Sequence, residues 1–191
     1  MQSLDEIRKM VEEKFISVGQ IERYKHTLGV GKMALTLANQ YGIDPTKALL
    51  AAYLHDFCKY DSLEEITSLL DPKDIEECES YPVLYHSYAS AQYYKKYIGK
   101  DEEIYEAIRN HVFGRLHMTR LEEIILISDY TEENRMYPNC IKVRETLLSK
   151  DLYKAIYEST YYTIEFLKSK NINPHPLQME VLKYYEGKCK Q

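Results

Sequence analysis

The chain has 191 residues, of which 45% are hydrophobic and 29% are charged, and its formal net charge is −5. These values predict one soluble globular domain over residues 1–191, with a sizeable core. The negative charge, without any lysine- or arginine-rich run, disfavours a nucleic-acid-binding protein. No segment reaches the roughly 18 consecutive apolar residues that a membrane-spanning helix needs.

The cysteines are widely separated and include no Cys-x-x-Cys pair; they are Cys58, Cys78, Cys140 and Cys189. This usage argues against a disulfide framework and against a thiolate zinc site, and it predicts reduced thiols in a cytoplasmic protein. Residues 1–6 also lack the basic and apolar segments of a secretory signal.

Signals for helix starts recur along the chain, whereas the alternation typical of strands is scarce. Ser3, Ser62 and Thr119 each stand three residues before a glutamate, which is the capping-box pattern. Asp44-Pro45 and Asn173-Pro174 each resemble an N-cap followed by proline at the first helical position. Several helices are therefore expected to begin at defined residues.

Helix ends are marked less sharply. Gly42, Gly99 and Gly187 are expected where helices stop, and Asp71-Pro72 is interpreted as a break between helices. Periodicity between these marks predicts helices at about 4–17, 22–41, 45–58, 63–70, 83–98, 101–112, 120–134, 140–169 (broken near 150–151) and 175–186. The fold class is thus all-α, a single-domain bundle of about seven to nine helices.

Five of these helices carry a histidine or an aspartate on or beside an apolar stripe at helical spacing. The residues are His26, His55, His86, His111 and Asp129. His55 is followed directly by Asp56 and closes the apolar run 48–54. A single histidine of this kind is more often a hydrogen-bonded core residue than a metal ligand.

Five such helices together favour one cavity in which these side chains converge on a metal ion. Desolvated histidine and aspartate both need partners, and helical bundles build metal sites from inward-facing side chains. Imidazole and carboxylate ligands without a thiolate favour Fe, Mn, Co or Zn at a hydrolytic site.

The order of these residues resembles the HD superfamily of metal-dependent phosphohydrolases, which are all-helical. Four segments with their flanks are similar to the YqeK family of bacterial symmetrical diadenosine tetraphosphatases. The segments are Arg23–Val30, Leu54–Lys59, Ala107–Arg115 and Ser128–Arg135. The resemblance covers about residues 20–186 and implies a metal and nucleotide core at 20–136, with packing helices at 140–186.

The resemblance implies hydrolysis of diadenosine tetraphosphate to two ADP by a metal-activated water. Iron is the expected metal, Mn or Co would suit the same ligands, and one or two ions are compatible with the sequence. The first ion is expected to be held by His26, His55, Asp56 and Asp129. His86 and His111 either complete a second site, with Asp56 as the bridge, or face the phosphates as catalytic groups.

The same resemblance implies which side chains contact the substrate. Lys59, one helical turn beyond His55, is expected to be a catalytic group that touches a phosphate. Arg115 and Arg135 are expected to pair with the outer phosphates. The full predicted substrate-binding set is Arg23, Tyr24, His26, Lys59, His86, His111, Arg115, Asp129 and Arg135. For Arg109 and Arg120 a solvated surface position is favoured.

Three alternatives stay open at this point. The first is an HD-type hydrolase of a nucleoside monophosphate, a guanosine polyphosphate alarmone or a cyclic dinucleotide, although the chain lacks a Gly-Tyr-Pro signature. The second is a nucleotide-sensing module without catalysis, and retention of all six candidate ligands argues against it. The third is a helical protein with satisfied buried histidines and no metal. The expected partner is a small nucleotide, and a homodimer is compatible with the sequence.

Overall fold

The computed structural model describes residues 2–190, and these form eleven α-helices, with no strand among them. The helices are α1 Leu4–Ser17, α2 Ile21–Tyr41, α3 Pro45–Leu54, α4 Leu63–Thr67, α5 Pro72–Ser80, α6 Tyr85–Tyr93, α7 Glu102–Arg109, α8 Arg120–Thr131, α9 Pro138–Leu148, α10 Leu152–Ser169 and α11 Pro176–Lys188. A 3₁₀ turn precedes α6 and a π-helical turn follows it. The predicted all-α class is confirmed. Nothing between residues 2 and 190 forms a helix long and apolar enough to cross a membrane.

The helix starts follow the local sequence signals. Ser3, Ser62 and Thr119 all form capping boxes, and Asp44 caps α3 by accepting a hydrogen bond from the Thr46 N–H at 2.8 Å. Gly42 ends α2 in the left-handed conformation, at φ 68°, which glycine adopts without steric cost. Capping by a nearby side chain needs no tertiary contact, which is why these predictions are confirmed.

Two expected boundaries in the C-terminal region are wrong. The last helix does not start after Asn173-Pro174; His175 is its N-cap, with Nδ1 accepting from the Leu177 N–H at 3.0 Å. Gly187 lies inside α11, which continues to Lys188. An imidazole nitrogen can replace the usual hydroxyl or carboxylate acceptor at a helix start. The proline in the first turn is therefore Pro176, and not Pro174 as expected.

Helix α5 was missed; together with the expected break that divides residues 140–169 into α9 and α10, it brings the nine predicted ranges to eleven helices. Asp71 caps it by accepting from the Asp74 N–H at 2.9 Å, and Pro72 occupies the first turn. This is the signal that identified α3, but here it was interpreted as a break. The helix has only nine residues and buries only Asp74 and Cys78, so it shows no apolar periodicity.

The core packs around α8, which is buried on several sides by α2, α3, α7, α9 and α10. Leu121, Ile124, Ile125 and Ile127 of α8 are each at most 1% exposed, and each such burial stabilises the fold by about 1.5–3 kcal/mol. Asp129 comes one half-turn later, so the apolar core holds this carboxylate at the end of a rigid helix.

Arg109 is not a solvated surface residue, which corrects the sequence-based interpretation. Its guanidinium pairs with both oxygens of Asp74, at 2.6 and 3.0 Å, and lies 3.5 Å from the centre of the Tyr88 ring. Arg120 is likewise half-buried, paired with Glu123 at 2.6 Å. Because the partner of Arg109 lies in the missed helix α5, its burial had no visible cause in the sequence.

Asp74→Ala is expected to lower the free energy of unfolding by about 3 kcal/mol, because it leaves the buried Arg109 charge without its partner. Denaturant unfolding followed by circular dichroism measures this change. Glu13→Ala, which breaks the exposed pair with Lys9, is the control and should shift stability by less than about 1 kcal/mol. Equal effects of the two variants would show that the α5–α7 pair contributes nothing.

Candidate metal centre and adjoining cavities

The structure brings together all six side chains predicted as metal ligands. They come from five helices or the turns that follow them: His26, His55, Asp56, His86, His111 and Asp129. The ring centroids of His55 and His111 are 5.0 Å apart, and those of His86 and His111 are 5.2 Å apart. His26 and His55 approach to 5.6 Å.

The two central histidines also end their helices. Nδ1 of His55 lies 2.6 Å from the Ala52 carbonyl oxygen, and Nδ1 of His111 lies 2.8 Å from that of Ile108. Because a carbonyl only accepts, both Nδ1 atoms carry the proton and both Nε2 atoms present a lone pair. These bonds explain why α3 and α7 stop earlier than predicted, and they orient the rings as ligands.

Buried nitrogens without partners show that this cluster fits a cation. Nε2 of His26 lies 2.9 Å from Asp129 Oδ1, and Nε2 of His55 lies 3.3 Å from Asp56 Oδ2. Neither contact has hydrogen-bond geometry, and both nitrogens lack any hydrogen-bond partner within residues 2–190. Donor atoms of His26, His55 and Asp129, and of His55, Asp56 and His111, converge to within 4.8 Å. Such convergence suits a divalent metal.

Four of these side chains, Asp56, Asp129, His55 and His86, are in the protonation states that suit this fit in the metal-free protein. Burial would raise the pKa of Asp56, but the surrounding histidines hold it well below its usual range. Burial likewise opposes ionisation of Asp129, and Arg135 and His26 outweigh it, so that its pKa is also well below normal. Burial lowers the pKa of His55, and lowers that of His86 to about 4. Ionised carboxylates and neutral imidazoles are the forms that bind metals.

Glu132 is a site residue that the sequence analysis missed. Its carboxylate is buried, and Oε1 accepts from Nδ1 of His26 at 3.1 Å, while Oε2 accepts from the Asn134 N–H at 2.7 Å. Burial lowers the pKa of His26, but the contacts of its ring with the Asp129 and Glu132 carboxylates outweigh burial and raise the net pKa. A carboxylate behind a ligand histidine fixes its tautomer and makes it a stronger ligand.

Two further residues hold Glu132 in place. Arg144 of α9 donates to the carbonyl oxygens of Thr131 and Glu132, both at 2.5 Å, and so fixes the turn after α8. Gly29 faces the same carboxylate, and a Cβ there would overlap Glu132 Oε2. A glycine within a helix, one turn from His26, was the available sequence signal, since helices disfavour glycine without a packing reason.

Glu132→Gln is expected to weaken metal binding about 10- to 100-fold while leaving the fold intact. The amide keeps the shape and one acceptor but removes the negative charge behind His26. Metal titration followed by calorimetry measures the change. Glu133→Gln is a matched control, because Glu133 is exposed and forms a surface ion pair with Lys32. Unchanged affinity in Glu132→Gln would contradict the role assigned to this carboxylate.

Three of the predicted cations lie against the two aspartates. Arg23 donates to Asp56 Oδ2 at 2.7 Å, and Lys59 lies 3.1 Å from Asp56 Oδ1. Arg135 donates to Asp129 Oδ1 at 2.8 Å. All three side chains border the cavities described below, where an anionic ligand would meet them.

Arg115 and Tyr24 are not brought to this centre, which corrects the expected pocket. Arg115 makes a double ion pair with the buried Glu122, at 2.6 and 2.8 Å, because that carboxylate needs a counter-charge. Tyr24 lies beside Glu12 of α1, and burial raises the pKa of its hydroxyl. Residues two apart on a helix point to different sides, so Tyr24 faces away from the site that His26 enters.

Two cavities adjoin the cluster. The larger, of about 750 Å³, is bordered by His86, His111 and Asp129, and the smaller, of about 350 Å³, by Arg23 and His26. Both volumes fall in the range of small-molecule sites. Arg135 and Tyr137 border both cavities. The cluster therefore opens onto two spaces large enough for parts of one ligand.

Residues 23–134 match the family model described as the HD domain, and the chain belongs to that family. The crystal structure of a predicted HD superfamily hydrolase involved in NAD metabolism from Clostridium acetobutylicum has a TM-score of 0.84 and 33% identity, covering 98% of this chain and 99% of that one. The predicted HD fold is confirmed.

Within this family, the chain belongs with the proteins named symmetrical bis(5'-nucleosyl)-tetraphosphatase. The relative from Halalkalibacterium halodurans is 40% identical over 157 residues, which are 81% of this chain and 83% of that protein. The relative from Staphylococcus aureus is 33% identical over 187 residues, which are 96% and 94% of the two chains. The predicted family is confirmed.

Proposed function

We propose that this protein hydrolyses diadenosine tetraphosphate symmetrically to two ADP, as a metal-dependent phosphoanhydride hydrolase. The observation that carries the proposal is a cluster of four histidines and two aspartates that opens onto two cavities. The relatives that bear the name of this activity match most of the chain. The two cavities accommodate a substrate with two nucleoside ends and a charged centre.

The metal assignment follows the donor atoms. His26, His55, Asp56 and Asp129 would hold the first ion, and His86 and His111 would join Asp56 at a second. Iron is the proposed metal, and Mn or Co suits the same donors. When bound, a divalent ion supplies positive charge that polarises phosphoryl oxygens and makes water more acidic.

The cationic side chains bind and orient the phosphate chain. Arg23, Lys59 and Arg135 lie within 2.7 to 3.1 Å of the aspartates, so they stand where the phosphates must pass. Arg135 borders both cavities and is placed to contact either half of the substrate. Arginine pairs bidentately with phosphate oxygens, and such pairing would also stabilise the charge that ADP gains on leaving.

The position of the cluster beside both cavities supports symmetrical cleavage. If one adenosine occupies the larger cavity and the other half extends past Arg135 and Tyr137, the central phosphoanhydride lies over the aspartates and histidines. Attack there divides the four phosphates two and two. A centre at the end of a single cavity would instead favour cleavage near one nucleoside.

The test is a chromatographic assay of the products from diadenosine tetraphosphate, with protein loaded with iron or manganese and with a chelated control. ADP as the sole product supports the proposal. ATP plus AMP would overturn symmetrical cleavage while keeping the metal site. No turnover with either metal would reject the substrate, and guanosine polyphosphates and nucleoside monophosphates would be assayed next.

Two further inferences accompany this proposal. We infer a cytoplasmic location because all four cysteines are unpaired thiols, three of them buried. We also infer that residues 1–191 act as one domain. A homodimer and the lack of nucleic-acid binding stay predictions from the sequence.

A further inference from the structure

The side chains that α10 and α11 contribute to the lining of the larger cavity differ in chemistry from the histidines and the aspartate of the metal centre. Phe166 of α10 supplies apolar surface to this cavity, and so do Phe113, which follows α7, and Leu126 of α8. Thr160 and Gln178 supply polar groups from the two C-terminal helices. An apolar space with a few placed polar groups is the usual architecture of a site for a flat heterocycle.

Gln178 has a fixed orientation in this lining. It is 3% exposed, and its Oε1 accepts the His175 N–H at 2.9 Å as part of the capping box of α11. Since a backbone N–H requires an acceptor, the oxygen must occupy this position and the amide nitrogen must point the other way. The two amide N–H donors have no acceptor within residues 2–190, and the side chain borders the cavity.

The first turn of α11 is also held rigidly. The His175 ring lies 4.0 Å from the Tyr81 ring and stacks on Phe113 at 4.8 Å between centroids. Phe113 itself borders the cavity. Gln178 is thus anchored through its cap to a packed aromatic cluster, which keeps its free donors in one position.

We propose that Gln178 determines nucleobase recognition: its amide nitrogen donates a hydrogen bond to a ring nitrogen of the adenine held in the larger cavity. This inference rests on the proposed function for the identity of the ligand. Purine ring nitrogens are acceptors, and the base faces would contact Phe113 and Phe166. A buried donor pairs with such a ligand and is left unsatisfied by one that lacks the acceptor, which is the physical basis of specificity.

Gln178→Glu is the decisive variant. It keeps the side-chain length and the oxygen that caps α11, but it replaces the two donors with an acceptor. The dissociation constants of ADP and of pyrophosphate are measured by calorimetry on the metal-loaded protein. We expect the constant for ADP to rise about 10- to 100-fold and that for pyrophosphate to stay within about twofold. Gln40→Glu, at an exposed position of α2, makes the same charge change and should bind both ligands as the wild type does.

The outcomes of this experiment separate the inference about Gln178 from the proposed function. Unchanged ADP binding in Gln178→Glu overturns the inference, and so does an equal loss of ADP and pyrophosphate binding, which would indicate a structural effect. If Gln178→Glu does not fold, Gln178→Met tests the same loss of donors. If ADP binding depends on Gln178 but the wild type does not hydrolyse diadenosine tetraphosphate, only the proposed function is rejected. If the wild type hydrolyses diadenosine tetraphosphate but Gln178→Glu binds ADP unchanged, only this inference is rejected.

Discussion

Asp56→Asn is expected to reduce hydrolysis of diadenosine tetraphosphate by at least about a thousandfold and to remove most of the bound metal. Asp56 is 1% exposed, and its Oδ1 lies 3.0 Å from Nε2 of His86 and 3.5 Å from that of His111. Its Oδ2 faces His55 and Arg23. A thousandfold corresponds to about 4 kcal/mol, within the several kcal/mol that metal chemistry contributes to a transition state.

The asparagine variant preserves the shape of Asp56 while removing its charge. Product chromatography measures the rate, and elemental analysis of the purified protein measures the metal. Asp5→Asn, at an exposed position in the first turn of α1, controls for the lost charge and should keep full activity. Metal-free Asp56→Asn with an intact circular dichroism spectrum would support the assignment. Activity within tenfold of the wild type would refute it.

Gly29→Ala is expected to weaken metal binding by up to about 100-fold and to lower the melting temperature. Helix propensity alone predicts a gain of about 1 kcal/mol from this change. The added Cβ would overlap the Glu132 carboxylate, which cannot move freely because it is buried and bonded to Asn134 and His26. The overlap is relieved if the Glu132 carboxylate moves away from His26. His26 then loses the hydrogen bond that supports it as a metal ligand.

Gly187→Ala separates the effect of helix propensity from that of overlap with Glu132, because nothing in residues 2–190 lies within 4 Å of a Cβ at this position of α11. We expect it to be neutral or slightly stabilising, with unchanged metal affinity. Thermal unfolding and metal titration of both variants give the comparison. Wild-type metal affinity in Gly29→Ala would mean that Glu132 can relax elsewhere, and the proposed support of His26 would then be wrong.

The sequence by itself determined those features that depend on neighbouring residues. The caps at Ser3, Ser62 and Thr119 are hydrogen bonds across three residues, so composition and spacing were sufficient to predict them. The side chains of His55 and Asp129 were recognisable because polar groups on apolar stripes must be buried together. Helix α5 shows where prediction from apolar periodicity fails, because a short helix with few buried residues has no repeating apolar pattern.

Only the tertiary structure decided which polar groups became partners across long separations. Glu132 meets His26 across 106 residues because α2 packs against α8. Arg109 meets Asp74 across 35 residues because α5 and α7 both pack against α6. Arg115 and Arg135 looked alike in the sequence, yet one neutralises a buried glutamate and the other borders both cavities. Residue type and spacing specify what a side chain can do, whereas the burial and charge of its neighbours in space decide what it does.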